Sequence, residues 1–121
     1  MKGLFKDFNI GKFKNKKPPN NKSLGTFKEI KDLKKIKSDK KFVEDKDNVF
    51  DAFKSVAEKN KIDYPSKLVR KLIDDSSDVI MELKKYYKRP RPKVVAEEFG
   101  LKLNDIELKT MKTPSYPSGH S

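Results

Sequence analysis

Two prolines bracket the stretch that most constrains how this chain can fold. From Tyr64 to Pro92 the sequence reads YPSKLVRKLIDDSSDVIMELKKYYKRPRP. Within it Leu68, Leu72, Ile73, Val79, Ile80, Leu83 and Tyr87 fall at spacings that place them on one side of an α-helix. Pro65 and Ser66 suit a helix start. The stop is enforced, because the residue before Pro90 is disfavoured in helical geometry and Pro90 has no N–H to donate. The spacing therefore predicts one long amphipathic helix through Lys88, whose apolar face needs partners.

Partners are scarce. Of the 121 residues 40% are charged and 34% hydrophobic, so any core is small. Without cysteine there is neither a disulfide framework nor a thiolate metal site. No apolar run approaches the roughly 20 residues of a spanning helix, and the N-terminus MKGLFKDFNIGKFKNKKPP lacks the apolar stretch of a secretory signal. The chain reads as soluble, placed in the cytoplasm or within a viral particle.

The charge is unevenly distributed. Residues 1–41 carry fourteen lysines against Asp7, Glu29, Asp32 and Asp39, a net of +10 out of the total of +12. In this part Phe5, Phe8, Phe13 and Phe27 follow no helical or strand period, and NKKPPNN (Asn15 to Asn21) interrupts any regular element. Residues 1–46 are accordingly expected to form an extended basic arm, with a short helix at most near Thr26 to Lys37, where Phe27, Ile30, Leu33 and Ile36 recur every three residues. Such an arm either solubilises the chain or grips protein partners or nucleic acid, its phenylalanines serving as anchors in neighbouring chains.

Residues 47–121 read as the folded part, and the whole as mostly α. In DNVFDAFKSVAEKNK, Asp47 or Asn48 can cap a helix whose stripe is Val49, Phe50, Phe53, Val56 and Ala57 and which ends near Asn60. KVVAEEFG predicts one or two helical turns closed by Gly100. LKLNDIELKTM, turning at Asn104-Asp105, fits either a small hairpin or an irregular loop.

Lys84 does not fit this bland picture. It shares a row with Ile73, Ser77 and Ile80, where an ammonium is costly unless an anion meets it, and that row offers no carboxylate. Just beyond the helix, the prolines of RPRP hold Arg89 and Arg91 on a stiff backbone. Lys84, six intervening residues, Arg91-Pro92, and downstream Pro117-Ser118-Gly119-His120 together resemble the first two of three signature motifs of the type 2 phosphatidic acid phosphatase superfamily. The strings KRPRP and PSYPSGHS look more like its soluble members, the bacterial class A acid phosphatases and vanadium haloperoxidases. The resemblance covers about residues 49–121 and implies a partial helical bundle of that type.

It also implies roles. Lys84, Arg91, Ser118 and Gly119 would hold the oxygens of a phosphate monoester, or of vanadate as its analogue, with no metal and no other cofactor. His120, the only histidine, would be the general acid to the leaving alcohol, and Ser121 would open the next helix. The third motif, which brings a second arginine, the nucleophilic histidine and an orienting aspartate, is absent. These residues alone are expected to be inactive. Either they are the N-terminal part of a longer phosphatase acting through a phosphohistidine, or the protein is a non-catalytic component of a large assembly such as a virion.

Overall fold

The structure, a computed structural model, describes residues 3–104 and 106–120. The chain is mostly α-helical. Among these residues there are five α-helices, α1 (Leu24–Lys34), α2 (Lys40–Lys46), α3 (Val49–Lys59), α4 (Ser66–Tyr87) and α5 (Pro92–Glu98), with three short 3-10 turns and no strand.

The helix ends follow from local chemistry. Ser23, Asp39 and Asn48 cap α1, α2 and α3, each accepting a hydrogen bond from a backbone N–H in the first turn. The long helix α4 stops where Lys88 turns left-handed at φ 49°, two residues before Pro90. Pro92 opens α5, and Gly100, at φ 69°, follows its C-cap Phe99. Residues 101–104 and 106–108 hold no strand and lead into a 3-10 turn at Lys109–Lys112, so among the described residues the looser of the two expectations for this stretch holds. The expected turn at Asn104-Asp105 and the helix start at Ser121 each fall in part outside the described residues.

The basic N-terminal part is not extended. It folds into 3-10 turns at Gly3–Phe5 and Ile10–Phe13 and then α1 and α2, and both turns pack on α4. The four phenylalanines expected to anchor neighbouring chains make ring contacts within the chain instead, while Phe42 on α2 stays exposed. Phe8 lies between Phe5, edge-on at 6.0 Å, and Phe13, stacked at 5.0 Å, while Phe27 meets Phe99 at 5.1 Å. The sequence reading missed this packing because its polar anchors are main-chain groups. Tyr87 Oη donates to the Phe13 carbonyl at 2.6 Å, Tyr116 Oη to the Lys16 carbonyl at 2.9 Å, and the Leu4 N–H donates to Asp75 at 2.9 Å. Gly3 is required where it sits. Its φ is 69°, and a Cβ would lie 2.2 Å from Asp75 Oδ2.

The core is small, as the composition demands. Ile30 of α1 packs with Val95 and Ala96 of α5, bordered by Phe99, Leu101 and Leu103. On α4, Val79 and Leu83 are buried, but the stripe is covered only in its second half, for Leu68 stays 53% exposed and Phe53 on α3 62%. Of the α1 stripe, Leu33 and Ile36 are likewise exposed. No helix of the described residues is long and apolar enough to cross a membrane.

Candidate functional site: a cationic cavity under the C-terminal loop

Lys84 lies near the end of α4 and is only 5% exposed. Its ammonium donates to the Pro114 carbonyl, and among the described residues no carboxylate lies within ion-pair distance of it. Burial holds its pKa below the ordinary lysine value, and the nearby Arg91 guanidinium pushes it the same way. Arg91 reaches the same segment from the N-cap of α5. Its Nε donates to the Thr113 carbonyl at 2.7 Å and its Nη2 to the Thr110 carbonyl at 3.1 Å. Two cations of like sign are thus held together by consecutive carbonyls, Thr113 and Pro114, rather than by an acid. Dipoles offset their repulsion only in part.

The loop that supplies those carbonyls continues through a cis Tyr116–Pro117 peptide into Ser118, Gly119 and His120. Ser115 fastens it to the end of α4 region, its N–H bonding the Arg89 carbonyl at 2.9 Å and its hydroxyl the Pro90 carbonyl at 2.8 Å. Ser118 Oγ accepts the His120 N–H at 3.2 Å. Gly119 rests on Ile80, where an added Cβ would stand an ordinary 3.9 Å from Cγ2, so the protein itself leaves room for a side chain there.

All five residues singled out from the sequence, Lys84, Arg91, Ser118, Gly119 and His120, line one cavity of about 410 Å³. Its wall is completed by Val49, Phe50, Ile73, Ile80 and Met81 on the apolar side and by Ser76, Ser77 and Arg70 on the polar side. Arg70 stands over the Phe50 ring with its guanidinium carbon 3.8 Å from the centroid. Among the described residues no cluster of His, Cys, Asp or Glu could hold a metal ion.

Two further residues organise this cavity. His120 Nε2 is 2.9 Å from the Asp47 carbonyl and 3.6 Å from Asp47 Oδ1. Thr110 Oγ1 donates to that same carboxylate oxygen at 2.7 Å, while the Thr110 carbonyl accepts from Arg91. A continuous chain of contacts therefore runs from Arg91 through Thr110 and Asp47 to His120. From the sequence Asp47 was readable only as a cap candidate, a role that falls instead to Asn48, and Thr110 carried no signal at all. A side-chain bond between residues 63 apart, like contacts through main-chain carbonyls, leaves no mark in local residue pattern.

Comparison with protein-family models, with curated proteins and with solved structures finds no match to the chain.

Proposed function

We propose that this cavity is an oxyanion receptor of the phosphatase type suggested by the motif spacing, and that its ligand is a phosphate monoester. The observation that carries the reading is the pairing of a buried Lys84 with Arg91, neither of which, among the described residues, is ion-paired with a carboxylate; the one acid in the cavity wall, Asp47, is bonded to Thr110 and His120 instead. Donors remain for such a ligand, because among the described residues Arg91 Nη1 has no partner and Lys84 Nζ uses one of its three protons. A phosphate between the two head groups would relieve their repulsion and accept charge-assisted hydrogen bonds. In this reading the Gly119 N–H and Ser118 hydroxyl, which line the same cavity, would add neutral donors, and His120 would protonate a leaving alkoxide after turning its Nε2 away from Asp47.

Hydrolysis through a phosphohistidine needs a second imidazole as nucleophile, and these 121 residues contain one histidine. The nucleophile would have to come from another segment or another chain, packed over the exposed apolar residues of α3 and the first half of α4. By themselves the residues bind rather than hydrolyse. A second reading, a non-catalytic part of a large assembly, draws support from those same exposed residues, Phe53, Val56 and Leu68, and predicts indifference to phosphate.

Titration calorimetry with inorganic phosphate and with tungstate separates the two. Binding is expected, with Arg91→Ala weakening it about tenfold or more, since charge-assisted hydrogen bonds contribute about 1.5–3 kcal/mol. Lys84→Ala is expected to weaken it less. Absence of anion binding by the folded protein would remove the receptor reading.

A further inference from the structure

A second concave site lies at the other side of the α4 C-terminus. It is a groove of about 340 Å³ lined by Lys17, Pro18, Pro19, Asn20, Asn21, Tyr86, Tyr87 and Arg89. The stretch NKKPPNN, which looks in sequence like a break between elements, forms one wall, and the tandem tyrosines that end α4 form the other.

Both ends of the proline wall are fixed. On the upstream side Tyr87 and Tyr116 hold the carbonyls of Phe13 and Lys16. On the downstream side Asn20 is locked into the start of α1. Its carbonyl accepts the hydroxyls of Ser23 and Thr26, both at 2.7 Å, and its Oδ1 accepts the Lys22 N–H at 2.9 Å. Thr26 is almost wholly buried. A fixed groove costs little conformational entropy when a ligand enters, unlike a floppy lysine tail.

The chemistry of the lining is specific in kind. Tyr86 is 50% exposed and braced edge-on by Tyr87 at 5.0 Å. Lys14, which lies outside the groove wall, holds its ammonium 5.1 Å from the Tyr86 centroid. Pro18 and Pro19 offer flat apolar surface. The Asn21 amide adds polar groups to the groove without a fixed base pattern, the Asn20 Oδ1 being engaged by the Lys22 N–H. Around this rim, from Phe8 to Lys28, the chain has six lysines and no acidic residue. Two cations there are partly engaged, Arg89 with Glu29 at 3.2 Å and Lys14 with Glu82 at 3.8 Å; no ion pair is found for Lys12, Lys16, Lys17 or Lys22 among the described residues.

The geometry points to a single-stranded nucleic acid as the occupant, one base stacking on Tyr86 against the proline wall while its phosphates follow the lysines. Stacking surface plus a positive track is what binds single strands without sequence preference. A duplex has no unstacked base to offer, and a purely acidic peptide such as polyglutamate has no ring to lay on Tyr86. Lysines in place of arginines make the binding sequence-blind and salt-sensitive. This inference is independent of the phosphate cavity.

Fluorescence anisotropy of the 121-residue protein with a labelled dodecathymidine tests it. Binding is expected with a logarithmic salt slope of about −3, the value for roughly four neutralised phosphates on a single strand. Tyr86→Ala lowers affinity about tenfold and Tyr86→Phe leaves it unchanged, as base stacking requires. Lys17→Ala weakens binding in proportion to one lost phosphate contact. Lys59→Ala with Lys61→Ala, at the end of α3 and in the segment leading to α4, changes it no more than twofold. Circular dichroism confirms that each variant is folded. The proposal is overturned if Tyr86→Ala binds like the parent, if the Lys59/Lys61 double variant loses as much as Lys17→Ala, or if duplex DNA or polyglutamate competes as well as the single strand.

Discussion

Lys84 is the residue whose environment is most at odds with its chemistry. Its folded pKa is lowered, by burial first and by Arg91 second, so the unfolded chain holds this proton more tightly than the fold does. Between the lowered folded value and the ordinary lysine value, the unfolded state binds more protons, and stability therefore rises as pH increases through that window. Urea denaturation at successive pH values should show this rise, Lys84→Met should abolish it, and saturating phosphate should flatten it by stabilising the charged form. The neighbouring contact chain makes a separate prediction. Thr110→Val removes the hydroxyl that fixes Asp47 and leaves the backbone carbonyl that holds Arg91, so phosphate affinity should change less than twofold. The His120 ring, 48% exposed and resting on Asp47, should then show altered NMR signals. An unmoved His120 signal in this variant would break the proposed link between the two halves of the cavity.

At the scale of elements, the contact between α1 and α5 carries the small core. Ile30 is 3% exposed, and Ile30→Ala should cost about 3 kcal/mol, measured as a lowered denaturation midpoint, because the cavity it leaves has few neighbours to fill it. The N-terminal turn depends on charge instead. Asp75 has its pKa lowered, mainly by the Leu4 N–H and then by Lys71. A depressed carboxyl stabilises the fold above its unfolded value, and the contribution is lost as pH falls through the folded value. Amide exchange at Leu4 should thus accelerate in acid, and Asp75→Asn should show fast exchange already at neutral pH. The helices were legible because a period of 3.6 and a capping side chain are both written in residue identity, as Asn48, Asn60 and Gly100 illustrate. Even α2 had its mark in Asp39, whose carboxylate accepts the Phe42 N–H at 3.0 Å, though the lysines around it read as arm. The folding of residues 3–17 onto α4 was not legible, since its polar contacts are those of tyrosine hydroxyls and a carboxylate with backbone groups, which any residue could supply. The same limit applies to the cavity: Lys84 could be placed by its row on α4, whereas Asp47 and Thr110 meet across 63 residues with no motif to join them.

For the molecule as a whole, the N-terminal segment belongs to the structure rather than trailing from it. Deleting residues 1–17 takes away the Phe13 and Lys16 carbonyls that Tyr87 and Tyr116 bond, and should loosen the Thr113 to His120 loop and weaken phosphate binding several-fold, measurable by calorimetry on the truncated chain. The bond from Tyr116 to Lys16 joins positions 100 residues apart. Closing so long a loop is slow, while α4 and the α3–α4 pair need only local contacts. The helices should therefore be in place before the loop that carries Ser118, Gly119 and His120 can be clasped. In time-resolved refolding, helical signal should return ahead of anion binding, so that the cavity is the last part of the molecule to acquire its shape and the first to lose it under mild denaturant.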